Sequence, residues 1–150
     1  MNLLDYLPGV PDFPKPGILF RDISPLLANP AAFKEAILQL ESASKPFEYT
    51  HILGIESRGF IFGATLAHHT GTGFALARKP NKLPLASHRQ SLLIVDDVLA
   101  TGGTIVAASQ LLKNAGFEVA GALTLLEISG LQGGNTLAQK GITNRTVLSA

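Results

Sequence analysis

Hydrophobic and polar positions along the 150 residues alternate between two kinds of segment. Apolar runs of strand length occur at 51–55, 73–77 and 91–95, a longer one covers 119–128, and a last short one lies around Thr146 to Leu148. Between them, apolar residues recur at three- and four-residue spacing, the period of one helix face. Asn29-Pro30 reads as an N-cap followed by proline at the first helical position. The helix after it carries Phe33, Ile37 and Leu40 on one stripe and runs out by Ser44-Lys45-Pro46. Residues 60–70 form a second predicted helix, with small residues at Gly63, Ala64 and Ala67 and a stop at Gly71. A third opens near Gly103-Thr104, turns Ile105, Ala108, Leu112 and Ala115 inward, and ends at Gly116. Residues 78–90 break down into a polar loop. The run 91–95 shows no alternation, as expected of a strand buried on both faces. The succession predicts an α/β fold, a mainly parallel twisted sheet with helices on both faces. In such a sheet, ligands bind outside the carboxyl ends of the strands.

Composition narrows the class. A chain of 150 residues is the size of one domain, and 46% hydrophobic against 15% charged residues is core-forming material. Twelve Lys+Arg against eleven Asp+Glu gives a net charge of +1, which supports neither a nucleic-acid nor an anionic-membrane partner. Cysteine is absent, which excludes disulfide scaffolds, thiolate metal sites and cysteine nucleophiles together. No apolar run is long enough to cross a bilayer. The N-terminal residues lack a basic leader and place Asp5 within their first apolar stretch, so the expected setting is cytoplasmic.

The chemistry concentrates in residues 92–104, LLIVDDVLATGGT. A buried-type strand delivers Asp96 and Asp97 to the carboxyl edge, and a loop through Ala100, Thr101, Gly102, Gly103 and Thr104 runs into a helix. Glycines let a backbone approach an anion closely, and the first helical turn has unpaired N–H groups to meet it. Alone, an acidic pair after a strand reads as a solvated turn and Gly-Gly as a hinge. Joined in this order they point to a phosphate cradle. The glycines are not followed by the lysine of a P-loop. The two aspartates would repel a phosphate, so sugar hydroxyls or Mg²⁺ suit them better.

This segment resembles the phosphoribosyl-pyrophosphate signature of the type I phosphoribosyltransferases. Four further segments resemble the adenine-specific members of that family, in the right order: VPDFPKPGILFRDISP at 10–25, GIESRGF at 54–60, RKPNKLP at 78–84 and LEISGL at 126–131. The resemblance spans nearly the whole chain. It implies one domain over 1–150, with an adenine-side segment at 1–28 and an α/β core at 29–150. It implies transfer of phosphoribose from phosphoribosyl pyrophosphate to adenine with Mg²⁺, giving AMP and pyrophosphate, in a homodimer, with the metal bound mainly through the substrate. Carried over by motif, Ala100, Thr101, Gly102, Gly103 and Thr104 would hold the ribose 5′-phosphate, and Asp96 and Asp97 the ribose hydroxyls. Ser57, Arg58, Arg78, Lys79 and Lys82 would face the pyrophosphate, with Arg58 the residue expected to assist its departure. A cis peptide is expected at Ser57–Arg58. Leu19, Phe20 and Arg21 match the adenine pocket, with Phe20 stacking on the purine. Read without the family, Arg58 is a solvated turn residue, Phe20 a core residue and 78–82 an ordinary basic loop.

The chain departs from the family between Pro84 and Leu85. There the family has a flexible hood carrying a proposed acid/base glutamate, and this sequence has no counterpart to it. Either the hood is deleted or the 150 residues omit a mobile loop. A true deletion leaves room for an alternative, a catalytically silent module that binds AMP or phosphoribosyl pyrophosphate. An enzyme for another purine is a third reading, which the 10–25 segment opposes. His68 and His69 are helix neighbours that diverge, and His51 and His88 lack partners at ligand spacing, so all four read as non-ligands.

Overall fold

Every buried amide in an apolar run needs a partner, and short runs separated by helices find them in a parallel ladder. The computed structural model, which describes residues 1–77 and 90–150, meets that requirement. The chain divides into two compact units, 1–39 and 40–150, with the division inside a helix.

In the first unit, strand β1 (Gly9–Val10) pairs antiparallel with β2 (Phe20–Arg21), Gly9 opposite Arg21 and Val10 opposite Phe20. A short helix α1 (Ser24–Ala28) follows, then α2 (Pro30–Ser44). Asn29 caps α2 as expected, its Oδ1 accepting the Ala32 N–H at 3.0 Å. Ala32, Ala36, Ile37, Leu40 and Ser44 are its buried residues, whereas Phe33 is half-buried. The stripe is shifted toward the alanines because small side chains permit close packing.

In the second unit the elements alternate: β3 (His51–Ile55), α3 (Arg58–Thr70), β4 (Gly73–Ala77), β5 (Ser91–Leu99), α4 (Gly103–Asn114), β6 (Glu118–Glu127), α5 (Gly133–Gln139) and β7 (Asn144–Ser149). The five strands form one sheet in the order β4-β3-β5-β6-β7, with every neighbouring pair parallel. Strand alternation sends Leu53, Ile55, Leu92 and Ile94 to one face, where they join Ile105, Ala108 and Leu112 of α4 and Leu137 of α5 in a single buried cluster. The opposite face meets α3. A side-chain carbon at Gly63 would fall 3.3 Å from the Gly54 Cα and 3.5 Å from Ile52 Cγ2, so the helix lies almost backbone to backbone on β3.

The runs at 51–55 and 73–77 are strands over those same residues, and Gly71 ends α3 in a left-handed conformation with φ 72°. Ala115, expected to point inward, is exposed beyond the last turn of α4, and Ser109 is buried instead. Helix α5 went unpredicted because Gly133-Gly134 reads locally as a turn. Among the described residues no helix is long and apolar enough to cross a membrane.

Leu93 lies in β5, the central strand of the sheet, and is fully buried. Leu93→Ala is expected to lower unfolding stability by about 2–5 kcal/mol, the usual range for a buried leucine truncated to alanine, as measured by chemical denaturation.

Candidate active site

Strand β5 is longer than its apolar run. It continues past Val95 because Asp96, Val98 and Leu99 keep pairing with Thr124, Leu126 and Glu127 of β6. The acidic pair is therefore set in the ladder, where the backbone fixes its direction, instead of lying in a turn. Asp97 is only 4% exposed, and its Oδ2 sits 3.0 Å from Nε of Arg58, the first residue of α3. That N–H does not point at the oxygen, so the contact is an ion pair without an aligned hydrogen bond. Asp96 is half-buried, and its Oδ1 accepts the Asp97 N–H at 2.8 Å.

Burial pushes the Asp96 carboxyl up from 3.8 to about 8, helped by the hydrogen bond and charge of the Asp97 side chain. The Asp97 amide and the Arg58 charge pull the other way and are outweighed. Asp96 therefore keeps its proton near neutral pH, while the more buried Asp97 has the guanidinium beside it. At neutral pH the site then carries less negative charge than two aspartates suggest. The sequence-level objection, that the pair would repel a phosphate, loses much of its force.

After Leu99 the chain turns through Ala100, Thr101 and Gly102 into α4. Gly102 has φ 92° and accepts the first helical bond, from Val106 N–H at 3.0 Å. A left-handed residue here favours glycine. Helix geometry leaves the amides of Gly103, Thr104 and Ile105 without acceptors inside the helix, at the positive end of its dipole. Asp96, Val98, Leu99 and residues 100–105 line a hollow of about 70 Å³ around them. Thr101 and Thr104 are exposed and can add hydroxyl donors. A larger hollow of about 560 Å³ lies at the amino-terminal edge of the sheet, lined by residues such as Phe47, Glu48, Lys113 and Phe117. Size alone would misplace the site.

Ser57 and Arg58 follow β3 at the same carboxyl edge. The cis peptide expected at Ser57–Arg58 lies one bond earlier, at Glu56–Ser57. Gly59 sets the distance between α3 and β5, since a side-chain carbon there would come within 2.9 Å of Asp96 Oδ1 and 3.0 Å of the Val95 carbonyl. The sequence reading missed this role for Gly59, although a glycine directly after the Ser-Arg pair could have signalled a close approach.

The adenine-side residues Leu19, Phe20 and Arg21 sit within the first unit, on and beside β2. Arg21 Nη1 donates to the Leu7 carbonyl at 3.0 Å, which holds its head on the unit's own backbone. Phe20 is half-buried, and the edge of Phe13 meets its ring, with centroids 5.2 Å apart at 63°. Arg78, Lys79, Lys82, His88 and the Pro84–Leu85 junction lie outside the described residues. His51 Nδ1 is 2.9 Å from Thr50 Oγ1, and His69 Nε2 is 2.9 Å from Glu41 Oε2. Among the described residues no three His, Asp or Glu gather where they could hold a metal ion.

Comparison with known proteins bears on this arrangement. A phosphoribosyl transferase domain model matches residues 87–133. An adenine phosphoribosyltransferase of Polynucleobacter asymbioticus is 62% identical over 170 positions, covering 99% of each chain. With 150 residues here against 170 aligned positions, at least 20 positions (170 − 150) of that alignment have no residue in this chain. The crystal structure of adenine phosphoribosyltransferase from Thermoanaerobacter pseudethanolicus is 35% identical with a TM-score of 0.90, covering 99% of this chain and 98% of that one. That of the Saccharomyces cerevisiae enzyme, complexed with an imino-altritol bisphosphate and adenine, is 34% identical with a TM-score of 0.82, covering 97% and 96%.

The raised Asp96 carboxyl predicts a pH signature. A group whose pKa is higher folded than unfolded favours folding while protonated and loses that contribution as pH rises. The window here runs from about 4 to about 8. Asp96→Asn keeps an oxygen for the Asp97 amide and cannot ionise. Its thermal midpoint, measured without ligand, should gain on the wild type as pH rises from 5 to about 8, and the difference should then level off. Parallel pH profiles for the two proteins would rule this assignment out.

Proposed function

The chain belongs to the adenine phosphoribosyltransferase family, and on that premise we propose that the carboxyl-edge site binds phosphoribosyl pyrophosphate for transfer of its phosphoribose to adenine. The products are AMP and pyrophosphate, a purine-salvage reaction. The observation that carries the reading is the grouping, at one sheet edge, of a glycine-rich helix start, a ladder-held acidic pair and an arginine paired to it. The 5′-phosphate lies against Ala100, Thr101, Gly102, Gly103 and Thr104, where amides and hydroxyls meet its oxygens. Asp96 and Asp97 accept the ribose hydroxyls. Ser57 and Arg58 face the pyrophosphate, joined by Arg78, Lys79 and Lys82 of the basic segment.

In the reaction the C1′–O bond to pyrophosphate breaks, a C1′–N bond to adenine forms, and the adenine ring nitrogen gives up its proton to the departing pyrophosphate or to water. Positive charge builds on the ribose while negative charge grows on the leaving group. Arg58 answers the second, and its own pairing to Asp97 keeps the guanidinium aimed from α3. The Asp97 carboxylate beside the ribose answers the first. Hard-oxygen chemistry suits Mg²⁺, which would be held mainly through the diphosphate oxygens of the substrate and would offset their negative charge. Leu19, Phe20 and Arg21 serve the adenine side, Phe20 by stacking. Residues 1–28 form the adenine-side segment and 29–150 the phosphoribosyl core. A homodimer in the cytoplasm completes the reading, on the strength of family membership.

The test is AMP formation from adenine and phosphoribosyl pyrophosphate with Mg²⁺, expected to stop on chelation. Saturable AMP binding without turnover would identify a binding module instead, the outcome favoured if the positions present only in relatives hold the proton-transfer group. Phe20→Ala should raise the KM for adenine by about tenfold or more, since stacking on a base is worth about 1–3 kcal/mol, with little change in the KM for phosphoribosyl pyrophosphate.

A further inference from the structure

The LEISGL segment at 126–131 helps mark the family, yet the reaction assigns it no task. In the fold it leads from the end of β6 to α5, directly behind the loop that ends β5. Three contacts join the two. The Ile128 N–H donates to the Leu99 carbonyl at 3.0 Å. Gly133 lies so close to the Ala100 carbonyl that a side-chain carbon there would overlap it, and the same carbon would stand 2.8 Å from Leu99 Cγ. In return, a side-chain carbon on Gly102 would fall 3.2 Å from the Gly133 carbonyl and 3.4 Å from Leu137 Cδ2. The phosphate-side loop therefore rests against the first turn of α5.

That turn is itself pinned by one carboxylate. Glu127 Oε1 accepts the Gly134 N–H at 2.9 Å, and Asn144 Nδ2 of β7 donates to the Gly134 carbonyl at 3.3 Å. A side-chain carbon at Gly134 would meet Glu127 Oε1 at 2.9 Å and so displace that carboxylate. Glu127 is also the last residue of β6 and the register partner of Leu99, so it is anchored to the strand that delivers the loop. A charge-assisted bond from the end of one strand thus fixes the element that backs the loop of its neighbour.

We propose that Glu127, Gly133 and Gly134 form a clamp that sets the position of the Ala100–Gly103 loop, making Glu127 a positioning residue for the bound 5′-phosphate. Glu127 acts through the loop's backbone and reaches no substrate. The inference rests on reading that loop as the phosphate cradle. Misplacing a binding group by about 1 Å can cost on the order of 100-fold, so the effect should fall on ligands that carry the phosphate.

The experiment is calorimetric titration of wild type, Glu127→Ala, Glu127→Gln and Gly133→Ala with AMP and, separately, with adenine, alongside thermal unfolding of each. The clamp predicts at least tenfold weaker AMP binding in Glu127→Ala and Gly133→Ala, adenine affinity within about twofold of wild type, and near-complete recovery in Glu127→Gln, which keeps an acceptor oxygen. A lower unfolding midpoint with unchanged AMP affinity would overturn it, as would equal losses for AMP and adenine. If Glu127→Ala fails to fold, Gly133→Ala decides by the same comparison. Wild type that binds no AMP would remove the cradle reading itself, a result distinct from a clamp variant that binds AMP normally.

Discussion

The rest of the site depends on how closely α3 can approach the sheet. Gly54, Gly59 and Gly63 let that helix come close to the backbone of strands β3 and β5 along the line of glycines, and at Gly59 the distance is set by the Val95 carbonyl and the Asp96 carboxyl. A helix packed at ordinary side-chain distance would hold its first residue too far from the strand end for Arg58 to reach Asp97. The ion pair at 3.0 Å is a consequence of this backbone-level contact. So is the burial that drives the proton onto Asp96.

Electrostatics at this edge are arranged in opposed pairs. A guanidinium stands against one carboxylate, a proton quiets the other, and the start of α4 presents partial positive charge beside both. None of these groups is strong alone in water, but half-buried together they are screened less and act in a fixed geometry. The site can accept an anion and polar sugar groups side by side without carrying a large net charge of its own.

Much of this was legible in the sequence, for local reasons. Strands β3 and β4 are bounded by turn residues and lack alternation, so their limits could be read directly. The Asp-Asp-Val-Leu-Ala-Thr-Gly-Gly-Thr order carried the candidate site, because strand, acids, glycines and helix start appear in the order the chemistry needs. What escaped depends on partners distant in sequence. Strand β5 runs on through its acids because β6 supplies the ladder, which no property of Asp96 or Asp97 reveals. Helix α5 begins at a glycine pair that only the Ala100 carbonyl and the Glu127 carboxylate explain. Ala115 counts as apolar by composition and is simply the residue after the last turn. Gly59 and Gly133 looked like punctuation and turned out to be spacing.

The proposed anion cradle, made from the amides of Gly103, Thr104 and Ile105, also shapes what genetics can see. Peptide N–H groups are shared by every residue but proline, so replacing these side chains one by one with alanine leaves the donors in place. An alanine scan across the loop would report the hydroxyls of Thr101 and Thr104, the left-handed backbone of Gly102 and the core packing of Ile105, and would pass over the amides. The donors that meet the anion are thus the ones that side-chain replacement cannot remove.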